Sequence, residues 1–423
     1  MGLLPRLLHR CRLPAVQRWH HFTIAKLRLV LTMSMRFVSL AVLISFLSLS
    51  AFAQQADRNH QGSRHLQGEV PGASELHVKI EGGSILLQGY SGTRISYQVR
   101  SLPPKNLNRT QPDIPQYKVA TYKRGEASWL VATRQNEKLS PRSIELVVRV
   151  PGEVQSVSLD TSGGDVSVQD VDARIQVSTG GGHLRINDIS GVVNAETGGQ
   201  DIDVGTVNGD GRFHTAGGKI AVDYIKGNLD AFTGGGTISL GTGLRNAVLE
   251  SGAGDVRVTF CGGTLKAQSG GGNLVLGDVA GPADIRTSGG NLRLRSAKGF
   301  VQAQTNAGNI ELDGVPGTNA STGAGFIVAK FTASDHPRRD SLLETPTGDI
   351  TVFLPPGLPI TIRASVGSGA GHTITSEIPG LRIASEGDGF NSSIFADGKL
   401  NGGGPVLDIH AGSGNIILRK LKP

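Results

Sequence analysis

The chain has 423 residues, of which 60 are glycine, about twice the glycine share of an ordinary globular protein. Its formal charge is +7, but residues 1–53 contain seven of the 42 Lys and Arg residues and none of the 35 Asp and Glu residues. The remainder is therefore neutral, with 35 residues of each sign, which argues against nucleic acid as a partner.

Residues 1–53 have the pattern of an export signal. An apolar segment, 37–52, follows the basic residues and ends in Ala51-Phe52-Ala53, the Ala-x-Ala sequence typical of a signal-peptide cleavage site. We expect cleavage after Ala53 and export to the periplasm, the cell surface or the medium. Because the apolar segment is short for a membrane-spanning helix, a retained membrane anchor is the less favoured alternative.

Three further expectations concern the segments around this signal. Met33 or Met35 would give the signal an ordinary start, so we interpret residues 1–32 as an upstream extension, with a basic, acid-poor transit peptide as the alternative. No cysteine directly follows the cleavage site, which disfavours a lipid anchor. Residues 54–68, rich in Gln, Asn, His and Arg, have the composition of a disordered linker.

Residues 69–156 contain several β-type stretches and a proline-rich segment, 102–115, which we interpret as a loop. The region also holds one variant of the glycine-rich step described below, between Ile80 and Ile85. The end of a stack of strands is an unpaired edge that invites aggregation. We therefore predict an N-terminal β-rich cap with irregular first coils.

A glycine-rich step then recurs every 18 residues through the central region, residues 157–322. It opens with Thr or Ser, and its nine repeats begin at Thr161, Thr179, Thr197, Thr215, Thr233, Ser251, Ser269, Thr287 and Thr305. We number the positions of each repeat from this residue as position zero. A fixed period without insertions is typical of a solenoid, in which each repeat forms one coil.

Apolar residues occupy fixed columns of the repeat. Positions five and seven are aliphatic in all nine repeats, as in Val166 and Val168, and the residues between them are mixed, which predicts a strand with one buried face. Positions fourteen and sixteen predict a second strand, as in Leu229 and Ala231, and position ten is mostly apolar. Glycine at position twelve of most repeats and in the Gly-Gly step favours two corners.

The sequence thus predicts an all-β fold, a single-stranded parallel β-helix or β-solenoid with 18-residue coils. A calcium-binding roll would need two Gly-Gly steps per coil, and here only one occurs. A left-handed hexapeptide helix would need an aliphatic residue at every sixth position, where this chain has polar residues such as Asp172. A two-sided and a three-sided coil both fit the pattern.

The period becomes irregular after Thr305. Residues 323–423 therefore predict irregular C-terminal coils and a cap, with excursions from the coil near residues 336–341 and 355–359. Segments that leave a regular scaffold are the expected place for specific contacts.

Several segments resemble a known family. They are Ile144–Pro151 with the step at Thr161, residues 348–355, and residues 401–405 with 414–420. They are similar to the core and closing motifs of a family of secreted bacterial proteins that are named candidate adhesins and classed as a domain of unknown function. The similarity covers residues 70–420. It implies a secreted β-solenoid, brings no catalytic residues with it, and bases the adhesin label on architecture.

Two polar columns of the repeat are candidate ligand-binding surfaces, and for each of them the sequence favours a structural role. The Thr and Ser column at position zero shares the parity of the inward positions, which favours a buried corner ladder over a displayed surface that would bind ice or sugar. Asn273, Asn291 and Asn309 share position four, where an internal or corner ladder is favoured over metal coordination. Outward positions fifteen and seventeen alternate in charge along the stack, as with Arg212 and Asp230, which indicates a solvated surface without an acid–base pair.

No catalytic residue, metal site or cofactor is predicted. Asp201, Asp203 and Asp223 come nearest to an acidic cluster, but Lys219 lies beside them, and the 11 histidines lack the spacing of a zinc protease. Cys261, the one cysteine after the cleavage site, falls in the inward column at position ten. We expect it to pack as a small buried hydrophobe without a disulfide.

The function that fits these features is non-enzymatic: an exported adhesion or cell-envelope interaction module that binds a surface carbohydrate or protein. One alternative is a carbohydrate-active enzyme with its site in the loops of residues 330–400, for which Asp335 and Asp340 are the residues to replace. Another is a purely structural scaffold of the cell envelope.

Overall fold

The computed structural model describes residues 66–101, 117–135, 144–333, 339–369, 371–387 and 392–422, which belong to one compact unit. The predicted export signal and the proline-rich loop lie outside the described residues. Within these residues the chain forms 35 strands and no helix. The described part of the chain accordingly has no helix that could cross a membrane.

Seven strands precede the regular repeat. They are β1 (Leu66–Val70), β2 (Glu75–Ile80), β3 (Ser84–Tyr90), β4 (Ile95–Ser101), β5 (Tyr117–Arg124), β6 (Ala127–Arg134) and β7 (Ile144–Pro151). Because β1 begins at Leu66, the last three residues of the predicted linker are in a strand, where they pair with β4.

The regular repeat contributes twenty strands, two per coil. They are β8 (Ser156–Thr161), β9 (Val166–Val171), β10 (Arg174–Thr179), β11 (Leu184–Ile189), β12 (Val193–Thr197), β13 (Ile202–Val207), β14 (Gly211–Thr215), β15 (Ile220–Ile225), β16 (Leu229–Thr233), β17 (Ile238–Gly243), β18 (Ala247–Ser251), β19 (Val256–Cys261), β20 (Leu265–Ser269), β21 (Leu274–Val279), β22 (Ala283–Thr287), β23 (Leu292–Ala297), β24 (Val301–Thr305), β25 (Ile310–Val315), β26 (Thr318–Thr322) and β27 (Ile327–Phe331).

The irregular C-terminal coils follow. Their strands are β28 (Ser341–Thr347), β29 (Ile350–Leu354), β30 (Ile360–Val366), β31 (Ile374–Ser376), β32 (Arg382–Glu386), β33 (Ser393–Leu400), β34 (Val406–Ser413) and β35 (Ile416–Lys420).

Each regular coil places one strand in each of two parallel sheets, so the coil is two-sided. Sheet A holds the odd-numbered strands β9 to β29, and sheet B holds the even-numbered strands β8 to β28. Residues 18 apart in the chain pair directly, as Ile220 does with Ile238 in sheet A and Leu229 with Ala247 in sheet B. The 18-residue period therefore equals one turn of the solenoid, as predicted.

The first and last coils lie inside the stack. Strands β2 and β3 are inserted between β6 and β8 in sheet B and between β7 and β9 in sheet A. Likewise β34 lies between β28 and β30, and β35 between β29 and β31. Antiparallel strands cover the outer edges, with β4, β1 and β5 at one end and β33 and β32 at the other. The first and last coils therefore have strand partners on both edges.

The inward columns form a continuous core between the sheets. Positions five and seven are buried in all nine repeats and positions fourteen and sixteen in the first eight, and Val222 at position seven is 1% exposed. Cys261 at position ten is also buried, and its thiol donates to the carbonyl of Arg245 at 3.3 Å. Burial raises the pKa of the Cys261 thiol, which therefore stays protonated at neutral pH. The prediction that this cysteine packs as a small hydrophobe is confirmed.

The Thr and Ser column at position zero is a buried ladder at the first corner, between the sheet B strand and the next sheet A strand. In all nine repeats its hydroxyl donates to the carbonyl of the position-three residue in the preceding coil of the stack. Thr233, for example, donates to Gly218 at 2.7 Å and accepts from the N–H of Gly236 at 3.1 Å. The column is thus a corner ladder, as predicted, and its hydroxyls are not displayed to solvent.

Replacing Thr233 with valine tests the contribution of this ladder. Thr233 is 0% exposed, so Thr233→Val keeps the side-chain shape but removes the partner of two polar backbone groups. We expect a loss of about 1–3 kcal/mol of unfolding free energy, measured by urea denaturation. Thr259→Val, at an exposed position of β19, is the matched control and should change stability little. Equal effects of the two substitutions would contradict the assigned role of the ladder.

Candidate ligand-binding groove

The asparagines at position four are fully engaged in a second ladder at the first corner. The side-chain oxygen of Asn273 accepts the N–H of Asn291, and that of Asn291 accepts the N–H of Asn309, both at 2.9 Å. Asn309 in turn accepts the N–H of Phe326 at 3.1 Å. The favoured corner ladder is confirmed, and the amide oxygens are used within the scaffold.

Of the three aspartates that come nearest to an acidic cluster, Asp201 and Asp203 make local contacts, and Asp223 is exposed. Asp201 accepts the backbone N–H of Lys219 at 2.8 Å, and Asp203 lies 3.0 Å from the Lys219 ammonium. Hydrogen bonding to Asp203 raises the pKa of Lys219, which keeps this residue charged. Among the described residues, no three His, Cys, Asp or Glu side chains converge as metal ligands would.

Asp340, one of the two residues proposed for an enzymatic site, has a structural role. Its carboxylate accepts the N–H of Val406 at 2.8 Å and so caps the first residue of β34. Asp335, the other residue, lies outside the described residues. Among the described residues, no second carboxylate lies within hydrogen-bonding distance of Asp340.

The outer face of sheet B carries ion pairs at positions fifteen and seventeen. Arg212 lies 3.5 Å from Asp230, Lys266 lies 2.6 Å from Glu250, and Arg286 lies 2.8 Å from Asp284. These side chains are 33% to 59% exposed, so each pair contributes little to stability. The predicted solvated surface of alternating charge is confirmed.

A stack of aromatic rings continues this face toward the N-terminal cap. The rings of His77 and Trp129 lie 4.3 Å apart, and those of Tyr122 and Trp129 lie 6.1 Å apart, in nearly parallel planes. The three residues are register neighbours on β2, β6 and β5. Since the rings cover one another's faces, we assign them to cross-strand stabilisation of the cap.

The second corner lies between the sheet A strand and the next sheet B strand. Along the stack, its position-thirteen residues change from polar to apolar. At position thirteen, Asp210 accepts the N–H of Asn228 at 2.7 Å, and Asn246 accepts the N–H of Thr264 at 2.9 Å. The next two residues of this column are Pro282 and Phe300. Proline has no N–H to be capped, so the polar ladder ends where an apolar corner begins.

A groove of about 660 Å³ lies at this apolar corner. Pro282, Phe300 and Pro316, from three consecutive coils, provide much of its apolar lining, and Phe300 is half-buried. Its other lining residues are Thr264, Ala280, Gly281, Ala283, Asp284, Lys298, Gly299, Gln302, Gly317 and Arg339. The volume is in the range of about 300–1,000 Å³ that is usual for small-ligand sites.

Close stacking of the corners gives the groove a defined shape. A Cβ atom added at Gly299 would lie 2.4 Å from the nitrogen of Pro282, and one at Gly317 would lie 3.2 Å from the ring of Phe300. Glycine at these two positions therefore allows the corner backbones and the ring to approach. The result is a pre-formed surface, which reduces the entropy lost on binding.

Arg339, which lies in the chain between β27 and β28, also lines this groove. Most of the groove is formed by regular coils, and the expectation that excursions after Thr305 make specific contacts stays a prediction. This groove was not predicted from the sequence. The signal that could have found it is the appearance of Pro282 and Phe300 in a column that holds Asp, Asn or Thr in the four preceding repeats.

Comparison with known proteins places these features in a family context. The model of the Toastrack DUF4097 family matches residues 121–378. Among solved structures, a candidate cell adhesion protein from Clostridium sporogenes is 11% identical, with 84% of this chain and 99% of that chain covered and a TM-score of 0.17. A candidate adhesin from Bacteroides fragilis is 11% identical, with 85% and 98% covered and a TM-score of 0.16. No curated protein matches the chain.

Proposed function

Because this chain belongs to the Toastrack DUF4097 family of β-solenoids, we propose that it is an exported, non-enzymatic module that binds carbohydrate in the groove at the second corner. The observation that carries the proposal is the groove itself, where an aromatic ring and two prolines lie beside amide, hydroxyl and charged groups. Ligand sites combine apolar walls with a few polar groups that orient the ligand. Sugar rings, which have apolar faces and hydroxyl edges, fit this combination.

The chemistry of the groove favours binding over catalysis. Glycoside hydrolysis generally requires two carboxylic groups that flank the scissile bond. Asp284 is the one carboxylate that lines the described groove, and it accepts hydrogen bonds from Arg286 at 2.8 and 3.1 Å. Among the described lining residues there is no second carboxylate to act as the other group.

Export rests on the predicted signal of residues 1–53, with cleavage after Ala53. A groove on the outer surface of a rigid solenoid would then meet ligands outside the cytoplasm. Together these features support a role at the cell surface or in the cell envelope, with adhesion to a surface carbohydrate as the activity.

Replacing Phe300 tests the proposed function. Purified chain of residues 54–423, which includes the whole compact unit, would be screened on a glycan array and then titrated with the polysaccharides that bind. Phe300→Ala should weaken binding on the order of tenfold or more, because aromatic residues dominate the energy of many binding sites. Phe326→Ala is the matched control, since Phe326 is an exposed phenylalanine at the first corner, outside the groove.

Two outcomes would overturn the proposal. One is the absence of any bound carbohydrate, and the other is unchanged affinity in Phe300→Ala. Shortened polysaccharide products after incubation with the purified chain would instead support the enzymatic alternative.

A further inference from the structure

The charges around the groove are unevenly compensated. Asp284 is paired with Arg286, and the nearby Lys266 is paired with Glu250 at 2.6 Å. Lys298 and Arg339, in contrast, line the groove and form no ion pair or side-chain hydrogen bond with any described residue. Both side chains are exposed, so among the described residues the groove carries two positive charges that have no ion-pair partner.

We infer that the groove selects an acidic polysaccharide, a chain of sugar rings that carry carboxylate or sulfate groups. This inference rests on the proposed function and adds to it the chemical class of the ligand. The apolar faces of the sugars would pack on Phe300 and the prolines, and their anionic groups would pair with Lys298 and Arg339. Arginine suits this role because its planar guanidinium donates two parallel hydrogen bonds to a carboxylate or sulfate group.

The same charges argue against a nucleic acid or a folded protein as the ligand. A nucleic acid is held by many phosphate contacts along a broad basic surface, whereas the chain after residue 53 is neutral and the outer face of sheet B beside the groove carries ion pairs. A stable protein partner would cover about 800 Å² of this chain. The groove is confined to one corner of a few consecutive coils, which suits a single flexible polymer strand.

The test is a titration of residues 54–423 with four polymers. Polygalacturonate carries carboxylates and dextran sulfate carries sulfates, whereas fully methyl-esterified polygalacturonate and plain dextran are the neutral counterparts. We expect at least one acidic polymer to bind on the order of tenfold more tightly than its neutral counterpart. Its affinity should fall as salt is raised from 50 to about 500 mM, because exposed charges are screened. The two acidic polymers distinguish carboxylate from sulfate recognition.

A pair of double variants separates local from general electrostatics. Lys298→Gln with Arg339→Gln should weaken binding of the acidic polymer on the order of tenfold or more and leave the neutral polymers unaffected. The control is Lys226→Gln with Arg245→Gln, which removes the same net charge. Lys226 holds position eleven of its repeat, as Lys298 does, and Arg245 is an exposed arginine of the same corner outside the groove.

The outcomes distinguish this inference from the proposed function. If neutral polymers bind as tightly as acidic ones and Phe300→Ala abolishes that binding, the acidic selectivity is wrong and carbohydrate binding stands. The selectivity is equally overturned if both double variants weaken binding alike, or if duplex DNA binds as tightly as the acidic polymers. If none of the four polymers binds, the acidic selectivity is overturned, and carbohydrate binding fails with it only if the glycan array also yields no ligand.

Discussion

Val222→Asp is expected to unfold the central coils under conditions in which the native chain is stable. Val222 is 1% exposed and lies in β15, where it pairs with Val204 on one side and Leu240 on the other. A carboxylate at this position would have no cation or N–H group to pair with between the sheets. The cost of burying it should exceed about 4 kcal/mol, which is a large part of the stability of a typical domain.

The measurement is a pair of thermal melts followed by circular dichroism. Ser239→Asp is the matched control, because Ser239 lies on the next strand of sheet A, faces outward and pairs in register with Ala221 and Arg257. We expect Ser239→Asp to change stability by no more than about 0.5 kcal/mol. An unchanged melting temperature in Val222→Asp would show that the inward columns are wrongly assigned.

The regular part of this fold could be predicted because the same apolar–polar alternation and the same corner residues recur in every coil. Val166 and Val168 alternate with polar residues for the same reason as Ile238 and Leu240, and Thr161 occupies the same corner as Thr233. Nine repetitions make such a pattern visible in one sequence. The number of sheets per coil was harder to predict from the sequence, because a two-sided and a three-sided coil can have the same alternation of apolar and polar residues.

The ends and the groove depend on neighbours that are distant in the chain. Strands β2 and β34 alternate like any other strand of sheet B, so nothing local indicates that each is inserted between two later or earlier coils. The groove likewise combines Pro282 and Phe300 with Arg339, which arrives from a different segment. Contacts between such distant segments cannot be predicted from the spacing of residues along the chain.

One regularity of the core spans neighbouring coils. From β14 to β24, positions fourteen and sixteen hold one small and one larger side chain, and the larger one changes position at each coil. The pairs are Gly211 and Phe213, Leu229 and Ala231, Ala247 and Leu249, Leu265 and Ala267, Ala283 and Ile285, and Val301 and Ala303. All these residues are buried, so along the inner face of sheet B the larger side chain of one coil lies next to the smaller one of the coils above and below it.

Phe213 is the extreme case of this alternation. A Cβ atom added at Gly211 would lie 2.6 Å from the Phe213 ring and 2.7 Å from Ile225. The ring therefore occupies the space that a side chain at position fourteen fills in the next coil. Phe213→Ala should remove about 3–5 kcal/mol of unfolding free energy, because it leaves a cavity between rigid sheets. Gly211→Leu alone should also destabilise the chain, since its side chain would collide with the ring.

The double variant, Gly211→Leu with Phe213→Ala, should recover more than half of the stability that Phe213→Ala loses, because it reproduces the Leu229 and Ala231 pair of the next coil. Urea denaturation of the wild type, both single variants and the double variant measures the coupling between the two sites. If the side chains at positions 211 and 213 fill the same space, the stability changes of the two single variants must differ strongly in sum from that of the double variant. Additive losses would mean that each position is packed independently, and the alternation of sizes in sheet B would then have no energetic basis.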